Sequence, residues 1–170
     1  MVDAGAGIPG SGTFIVRIWL GKEMITYCTG DIFDSKADVL VNPVNTIGLL
    51  GGGLALEFLI RFPEIKLEYQ KACKRRVLRI GYPWQWNNPG GKPDVLCFPT
   101  KGDWRKPSRL DFIRWGLEWV KPYQNKGIIA FPKLGCGLGG LDWEEVRPVM
   151  EKYLGSIGGT EIEIWLGEGK

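Results

Sequence analysis

Two short, almost wholly apolar runs, Ala37 to Asn42 (ADVLVN) and Gly127 to Leu134 (GIIAFPKL), pass directly into glycine-rich stretches, PVNTIGLLGGG and GCGLGG, with helix-forming sequence beyond each. Apolar runs this short, bounded by turn residues, read as strands covered on both faces. A strand that leaves through a glycine loop into a helix is one unit of a layered α/β domain, and ligands in such sheets bind beyond the carboxyl ends of the strands. Glycine lets backbone N–H groups converge closely on oxygen atoms, and the following helix dipole favours negative charge. A phosphate or diphosphate is therefore the natural occupant, against the plainer reading that these glycines serve tight turns and close packing.

The rest of the chain supplies the other layers. Phe14–Leu20 and Met24–Thr29, separated by Gly21-Lys22-Glu23, read as a hairpin, and Val95–Phe98 and Thr160–Leu166 as further strands. Leu54–Phe62 forms a helix, and Pro63 opens another through Ala72. Ser108-Arg109-Leu110-Asp111 resembles a capping box ahead of the helical period Leu110, Ile113, Leu117 and Val120. Asp142 with Glu145 starts a last helix reaching about Leu154. Strands interleaved with helices indicate a single layered α/β domain over 13–170, its opening hairpin making the sheet mixed rather than all parallel. Residues 1–12, MVDAGAGIPGSG, are expected to be a flexible leader.

Composition excludes several chemistries. With no histidine in 170 residues, Ser-His-Asp and Cys-His catalysis and most catalytic zinc sites are unavailable. Cys28, Cys73, Cys97 and Cys136 are scattered, so buried free thiols are expected rather than a metal site or disulfide framework. No apolar run is long enough to span a bilayer, which favours a cytoplasmic setting, and a monomer is the default for this size. The net charge of +3 is unevenly spread. Lys71, Lys74, Arg75, Arg76 and Arg79 form one basic group, and Lys101, Arg105, Lys106 and Arg109 another. Such groups serve nucleic acid or are solvated helix faces. The chain has no G-x-x-x-x-G-K-[ST], and its loose G-x-G-x-x-G lies near the end rather than at the first strand-helix turn, so neither a P-loop nor a dinucleotide fold is supported.

Taken together, Thr29-Gly30-Asp31-Ile32, the run VNPVNTIG from Val41 to Gly48, Gly51-Gly52-Gly53 and the run LGCGLGGL from Leu134 to Leu141 resemble the macrodomain, an ADP-ribose-binding α/β/α module. With FPTKGDW, RKPSRL and LDWEEVRP, they are similar to the branch holding the DarG-type DNA ADP-ribosyl glycohydrolase antitoxins and the terminal ADP-ribose protein glycohydrolase. The resemblance implies a three-layer α/β/α domain with a mixed sheet of roughly six strands, and ADP-ribose as ligand across the strand ends, with no cofactor. Asp31 would accept from the adenine amino group, with the Ile32 backbone beside it. Asn45 would bind distal-ribose hydroxyls, with Thr46 and Thr100 also at the site. The N–H groups of Gly51, Gly52, Gly53 and Leu54 and of Gly135, Cys136, Gly137, Leu138 and Gly139 would enclose the diphosphate and distal ribose. ADP-ribosylated DNA or protein and a cognate ADP-ribosyltransferase toxin are the implied partners.

Three catalytic positions of that superfamily are empty here. Gly52 stands where the antitoxin branch carries a lysine, Ala55 where another branch carries an aspartate, and Gly139 where the terminal glycohydrolase carries one. Substrate-assisted hydrolysis, with a water held by the diphosphate, remains open, and Lys101, Asp103 and Asp142 are candidate helpers. Two functions follow. One is a hydrolase acting on ADP-ribosyl conjugates, with Trp84, Trp86 and Trp104 near the basic groups as bases for DNA contact; the other is a reader that binds ADP-ribose without cleaving it.

Overall fold

The computed structural model describes residues 2–3, 15–20, 23–121 and 127–167. Eight strands form one mixed sheet: β1 (Val2–Asp3), β2 (Ile15–Leu20), β3 (Glu23–Cys28), β4 (Val39–Asn45), β5 (Trp84–Trp86), β6 (Asp94–Lys101), β7 (Gly127–Pro132) and β8 (Thr160–Trp165). Their order is β1-β2-β3-β8-β7-β4-β6-β5. The run from β3 to β6 is parallel, and antiparallel strands close both edges. The sheet exceeds the expected six strands by β1 and β5, which are too short to show a periodic pattern in sequence. Of the leader expected over 1–12, only Val2 and Asp3 are described, and they extend the sheet rather than standing apart from it.

Strand alternation divides the core into two layers. Val39 and Val41 face the same cluster as Leu96, Phe98, Ile129, Phe131, Ile162 and Ile164, while Leu40, Val44, Val95, Cys97 and Ala130 face the other. Helices α3 (Leu110–Trp119) and α4 (Trp143–Leu154) cover the first face through Ile113, Leu117, Val146, Met150 and Leu154. Helices α1 (Gly53–Arg61) and α2 (Ile65–Lys74) cover the second through Phe58, Ile65, Tyr69 and Ala72. Buried strands of this kind carry apolar residues on both sides, which is why they appear as unbroken runs in sequence.

Two helix starts separate expectation from outcome. Asp142 caps α4 as expected, its Oδ1 accepting from Glu144 N–H at 3.0 Å. Ser108 does not cap α3; Arg109 occupies the cap position without a side-chain bond. The Ser108 side chain is instead turned inward under the second glycine loop, where its N–H donates to Gly139 O at 2.9 Å and its Oγ is buried without a protein partner. All four cysteines are free, but only Cys28 and Cys97 are fully buried; Cys73 and Cys136 are half-buried.

Close approach of α3 to the sheet depends on Gly116, where a Cβ would collide with the Phe98 ring, 2.8 Å from Cε1. Alanine at a helix interior is favoured over glycine by about 1 kcal/mol, whereas overpacking a filled core costs about 1–3 kcal/mol. The packing term wins, so Gly116→Ala is expected to lower the urea midpoint of unfolding with an unchanged slope. At the other end of the sheet, Asp38 accepts from Ile128 N–H at 2.9 Å and pairs with Lys92. The Lys92 ammonium, then the Ile128 amide, holds its carboxyl below the usual carboxylate range. A pKa lower in the folded than in the unfolded chain stabilises at neutral pH and ceases to do so as pH falls through the folded value. Asp38→Asn should therefore flatten the acid side of the stability profile, measured by thermal unfolding below about pH 4.

Candidate functional site

The carboxyl ends of the parallel strands, with the loops that leave them, surround a cleft of about 1290 Å³. That exceeds the roughly 300–1,000 Å³ of small-ligand pockets and suits an elongated ligand. The two glycine loops face each other across it. Leu138 of the second loop reaches the first, where a Cβ on either Gly52 or Gly53 would lie 3.2 Å from Leu138 Cδ1. The loops are thus in contact at one rim.

The first loop ends in an uncapped helix N-terminus. Gly52 occupies the cap position with no side-chain bond, and the first intrahelical bond is Leu56 N–H to Gly52 O at 3.3 Å. The N–H groups of Gly53, Leu54 and Ala55, which precede that bond, belong to residues lining the cleft. Exposed N–H groups at the positive end of a helix dipole form an anion site. Gly53 has φ +55°, a conformation that side chains rarely adopt, so this start is specific to glycine.

The second loop is knitted to itself by Leu141 N–H to Gly135 O at 3.0 Å and Gly140 N–H to Gly137 O at 3.0 Å. Gly139 packs so tightly that a Cβ there would run into the Gly135 carbonyl and Ser108 Oγ. Lys101 Nζ donates to Leu138 O at 2.7 Å and to Trp104 O at 3.4 Å, bracing this loop against the segment after β6. Burial pushes the Cys136 thiol up to about 11, so it is neutral at physiological pH and no nucleophile.

Asp31 stands at one end of the cleft, joined to two partners. Its Oδ1 accepts from Phe33 N–H at 3.0 Å, capping the short helical turn Ile32–Asp34, and its Oδ2 lies 3.1 Å from Arg61 Nη2. A carboxylate has about four acceptor sites, so these bonds leave room for a ligand donor. Asn45 is more fully committed. Its Oδ1 accepts from Ile47 N–H at 3.1 Å and Leu49 N–H at 3.2 Å, and its Nδ2 donates to Leu49 O at 2.6 Å. From beneath, the buried Tyr69 hydroxyl donates to Asn45 O at 2.6 Å and sits 3.2 Å from Oδ1. Asn45 thus shapes the first loop, and one amide hydrogen is left for a ligand.

Of the residues singled out in sequence, Asp31, Ile32, Asn45, Gly51, Gly52, Gly53, Leu54, Thr100, Lys101 and Gly135 through Gly139 all line the cleft. Thr46 does not; its N–H and Oγ1 both donate to Gly102 O, at 3.1 Å each, tying two loops together behind the site. Asp142 is outside the lining and serves as a helix cap, and Asp103 pairs with Arg105 at 3.1 Å. Glu57, Lys133, Arg105 and Trp165 also line the cleft. Sequence offered no sign of Glu57 or Lys133, because a lone charge on a helix or after a strand looks like any solvated residue. Trp165 ends a strand, a position that in such sheets faces the ligand side.

Comparison with known proteins agrees with this geometry. The Macro domain family matches residues 41–150. The DNA ADP-ribosyl glycohydrolase of Mycobacterium tuberculosis is 42% identical over 129 residues, covering 73% of this chain and 37% of that protein. The one from Thermus aquaticus is 37% identical over 150 residues, covering 85% of this chain and 41% of that protein. The chain spans about two fifths of the length of these curated relatives. Among solved structures, the macrodomain of Mycobacterium tuberculosis DarG superposes with a TM-score of 0.79 at 36% identity, covering 84% of this chain and 97% of that one. Thermosipho africanus DarTG, solved in complex with ADP-ribose, superposes with a TM-score of 0.79 at 33% identity, covering 88% of this chain and 43% of that one. The order of strands, the paired glycine loops and this kinship carry one conclusion: the chain belongs to the Macro domain family.

Proposed function

We propose that the cleft binds ADP-ribose and that the protein hydrolyses ADP-ribosyl conjugates, with DNA as the carrier. The observation that supports it most is the closeness of the two glycine loops, which puts the uncapped α1 start and the second loop in the lining of one cleft. The diphosphate would lie there, the adenine amino group would donate to Asp31 at one end, and the distal ribose would meet Asn45 and the second loop at the other. The relatives named DNA ADP-ribosyl glycohydrolase, and the one solved with ADP-ribose, support the same ligand and carrier.

In the proposed reaction, a water bound to a diphosphate oxygen attacks the anomeric carbon of the distal ribose. The bond to the carrier breaks, its electron pair leaves with the carrier, and a water proton passes by way of the diphosphate to the carrier. Loop N–H groups hold the diphosphate in place, and its negative charge offsets the positive charge that develops on the distal ribose. Lys101, held on the Leu138 carbonyl, keeps those N–H groups in place and adds positive charge to the rim. Gly52, Ala55 and Gly139 supply no acid, base or nucleophile, and this favours the second reading, a reader that holds ADP-ribose intact. Gly139 has no space for a side chain, whereas Gly52 has extended backbone and faces only the end of Leu138.

Calorimetric titration with ADP-ribose should give binding heat, and incubation with ADP-ribosylated DNA should release ADP-ribose from it faster than from ADP-ribosylated protein. Gly52→Lys, which needs Leu138 to shift by a few tenths of an ångström, separates the readings: release only by the variant establishes the reader. Heat with ATP or NAD but none with ADP-ribose overturns both. Asp31→Ala is expected to weaken ADP-ribose binding by about 1–3 kcal/mol through loss of a charge-assisted hydrogen bond. Equal affinity in the same titration removes Asp31 from the site.

A further inference from the structure

Helix α3 carries more apolar surface than its core contacts use. Leu110, Ile113, Leu117 and Val120 meet the core, with Trp119 packed at its edge, yet Phe112 and Trp115, at the i, i+3 spacing of one helix face, form a second stripe beside it. Trp115 is 42% exposed on this stripe. Beside it the turn after α2 brings Tyr82, 45% exposed, with Gly81 backed against Trp115 so that a Cβ would sit 3.2 Å from Trp115 Cβ. An open groove of about 430 Å³ results, lined by Ile80, Gly81, Tyr82, Trp115, Glu118 and Trp119.

Guanidinium groups accompany these rings. Arg79 lies over Tyr82 at 3.6 Å from the ring centre, Arg109 over Phe112 at 5.4 Å, and Phe112 and Trp115 stand 5.9 Å apart. The same pairing recurs at the cleft, where Arg105 lies 5.2 Å over Trp104, which is 50% exposed, and both residues line the cleft. Arg109 follows Arg105 of the cleft by four residues and opens the run of rings along α3, which the Gly81 turn meets at Trp115, so the two basic groups flank one strip of aromatic rings. Acidic groups offset part of its charge: Asp103 pairs with Arg105, Asp111 with Arg109 and Arg114, and Glu118 lines the groove. Arg75, Arg76 and Arg79 are exposed and in no ion pair among the described residues, so the strip stays positive. Of the three tryptophans expected near DNA, Trp104 is exposed, whereas Trp84 and Trp86 belong to β5, where Trp84 packs against the core and Trp86 is buried; Trp115 and Tyr82 are further exposed rings.

Rings open on one face and interleaved with arginines suit an unpaired polynucleotide, whose bases stack and whose phosphates meet cations. Paired bases would hide their faces from such rings. Resting on the reading of the cleft given above, we infer that the strip from Trp104 to Tyr82 binds the single-stranded nucleotides flanking an ADP-ribosylated base. It would guide the strand so that the modification enters the cleft, which makes the strip a specificity surface distinct from the ADP-ribose site.

The whole chain would be titrated with a fluorescent oligothymidylate of about 12 nucleotides, the same oligonucleotide as a duplex, and polyglutamate as competitor. The single strand should bind, quench tryptophan fluorescence and weaken as salt rises. Trp115→Ala and Tyr82→Ala should each reduce that affinity roughly tenfold while leaving the affinity for free ADP-ribose unchanged. Tyr82 lies on an exposed turn, so its variant keeps the test valid if the Trp115 variant unfolds. No binding of the single strand, equal binding of the duplex, equal affinity of the Tyr82 variant, or displacement by polyglutamate as effective as by unlabelled oligonucleotide would each overturn the inference. Loss of ADP-ribose binding with strand binding intact would count against the cleft reading and leave the strip standing.

Discussion

Every feature of the site depends on backbone brought closer to backbone than side chains permit. At Gly139 the chain passes so near the Gly135 carbonyl and Ser108 that a single added carbon cannot be placed, and at Gly53 the helix begins with a left-handed residue. The α1 start leaves the N–H groups of Gly53, Leu54 and Ala55 without helical partners, on residues that line the cleft. Hydrogen bonds from such groups to a charged acceptor are worth about 1.5–3 kcal/mol each. The loops hold their shape without a ligand because other groups brace them: Asn45 and Tyr69 under the first, Lys101 and Ser108 against the second.

The same economy accounts for the thin catalytic equipment. A loop assembled from glycine amides binds a diphosphate well and offers nothing that attacks or accepts a proton. The positions where relatives in the superfamily are expected to carry such groups hold Gly52, Ala55 and Gly139, and they are not equivalent. Gly139 is closed to any side chain by backbone, whereas Gly52 is opposed only by the end of Leu138, which is 75% exposed. A side chain at Gly52 therefore needs only the exposed end of Leu138 to give way. In the proposed reaction, chemistry would fall to water, to the ligand's own phosphates and to the cations at the rim.

Around the cleft, charge and aromatic surface are arranged by tertiary contacts rather than by neighbours in sequence. Arg61 reaches Asp31 from the far end of α1 while covering the Phe33 ring at 4.1 Å. Gly81 and Trp115, 34 positions apart, meet where the turn after α2 backs onto α3. Each link joins a helix packed on one sheet face to a segment distant in the chain, so these contacts follow from layer packing.

The layered fold and both glycine loops were legible in the sequence, because buried parallel strands write themselves as apolar runs and because only glycine tolerates such close or left-handed backbone. Asp31, its neighbours and the second loop could be placed from their motifs for the same reason: their roles are local. Side-chain direction was not legible. Ser108 has the sequence of a cap and points into the core, Asn45 spends most of its amide on its own loop, and Thr46 turns behind the site. Tyr69, Glu57 and Lys133 join the site only because α2, α1 and the end of β7 converge there. Sequence determined where the chain must bend and what it must bury, since those are properties of short segments. Tertiary structure alone decided which polar groups meet, since that depends on how segments distant in the chain pack against one sheet.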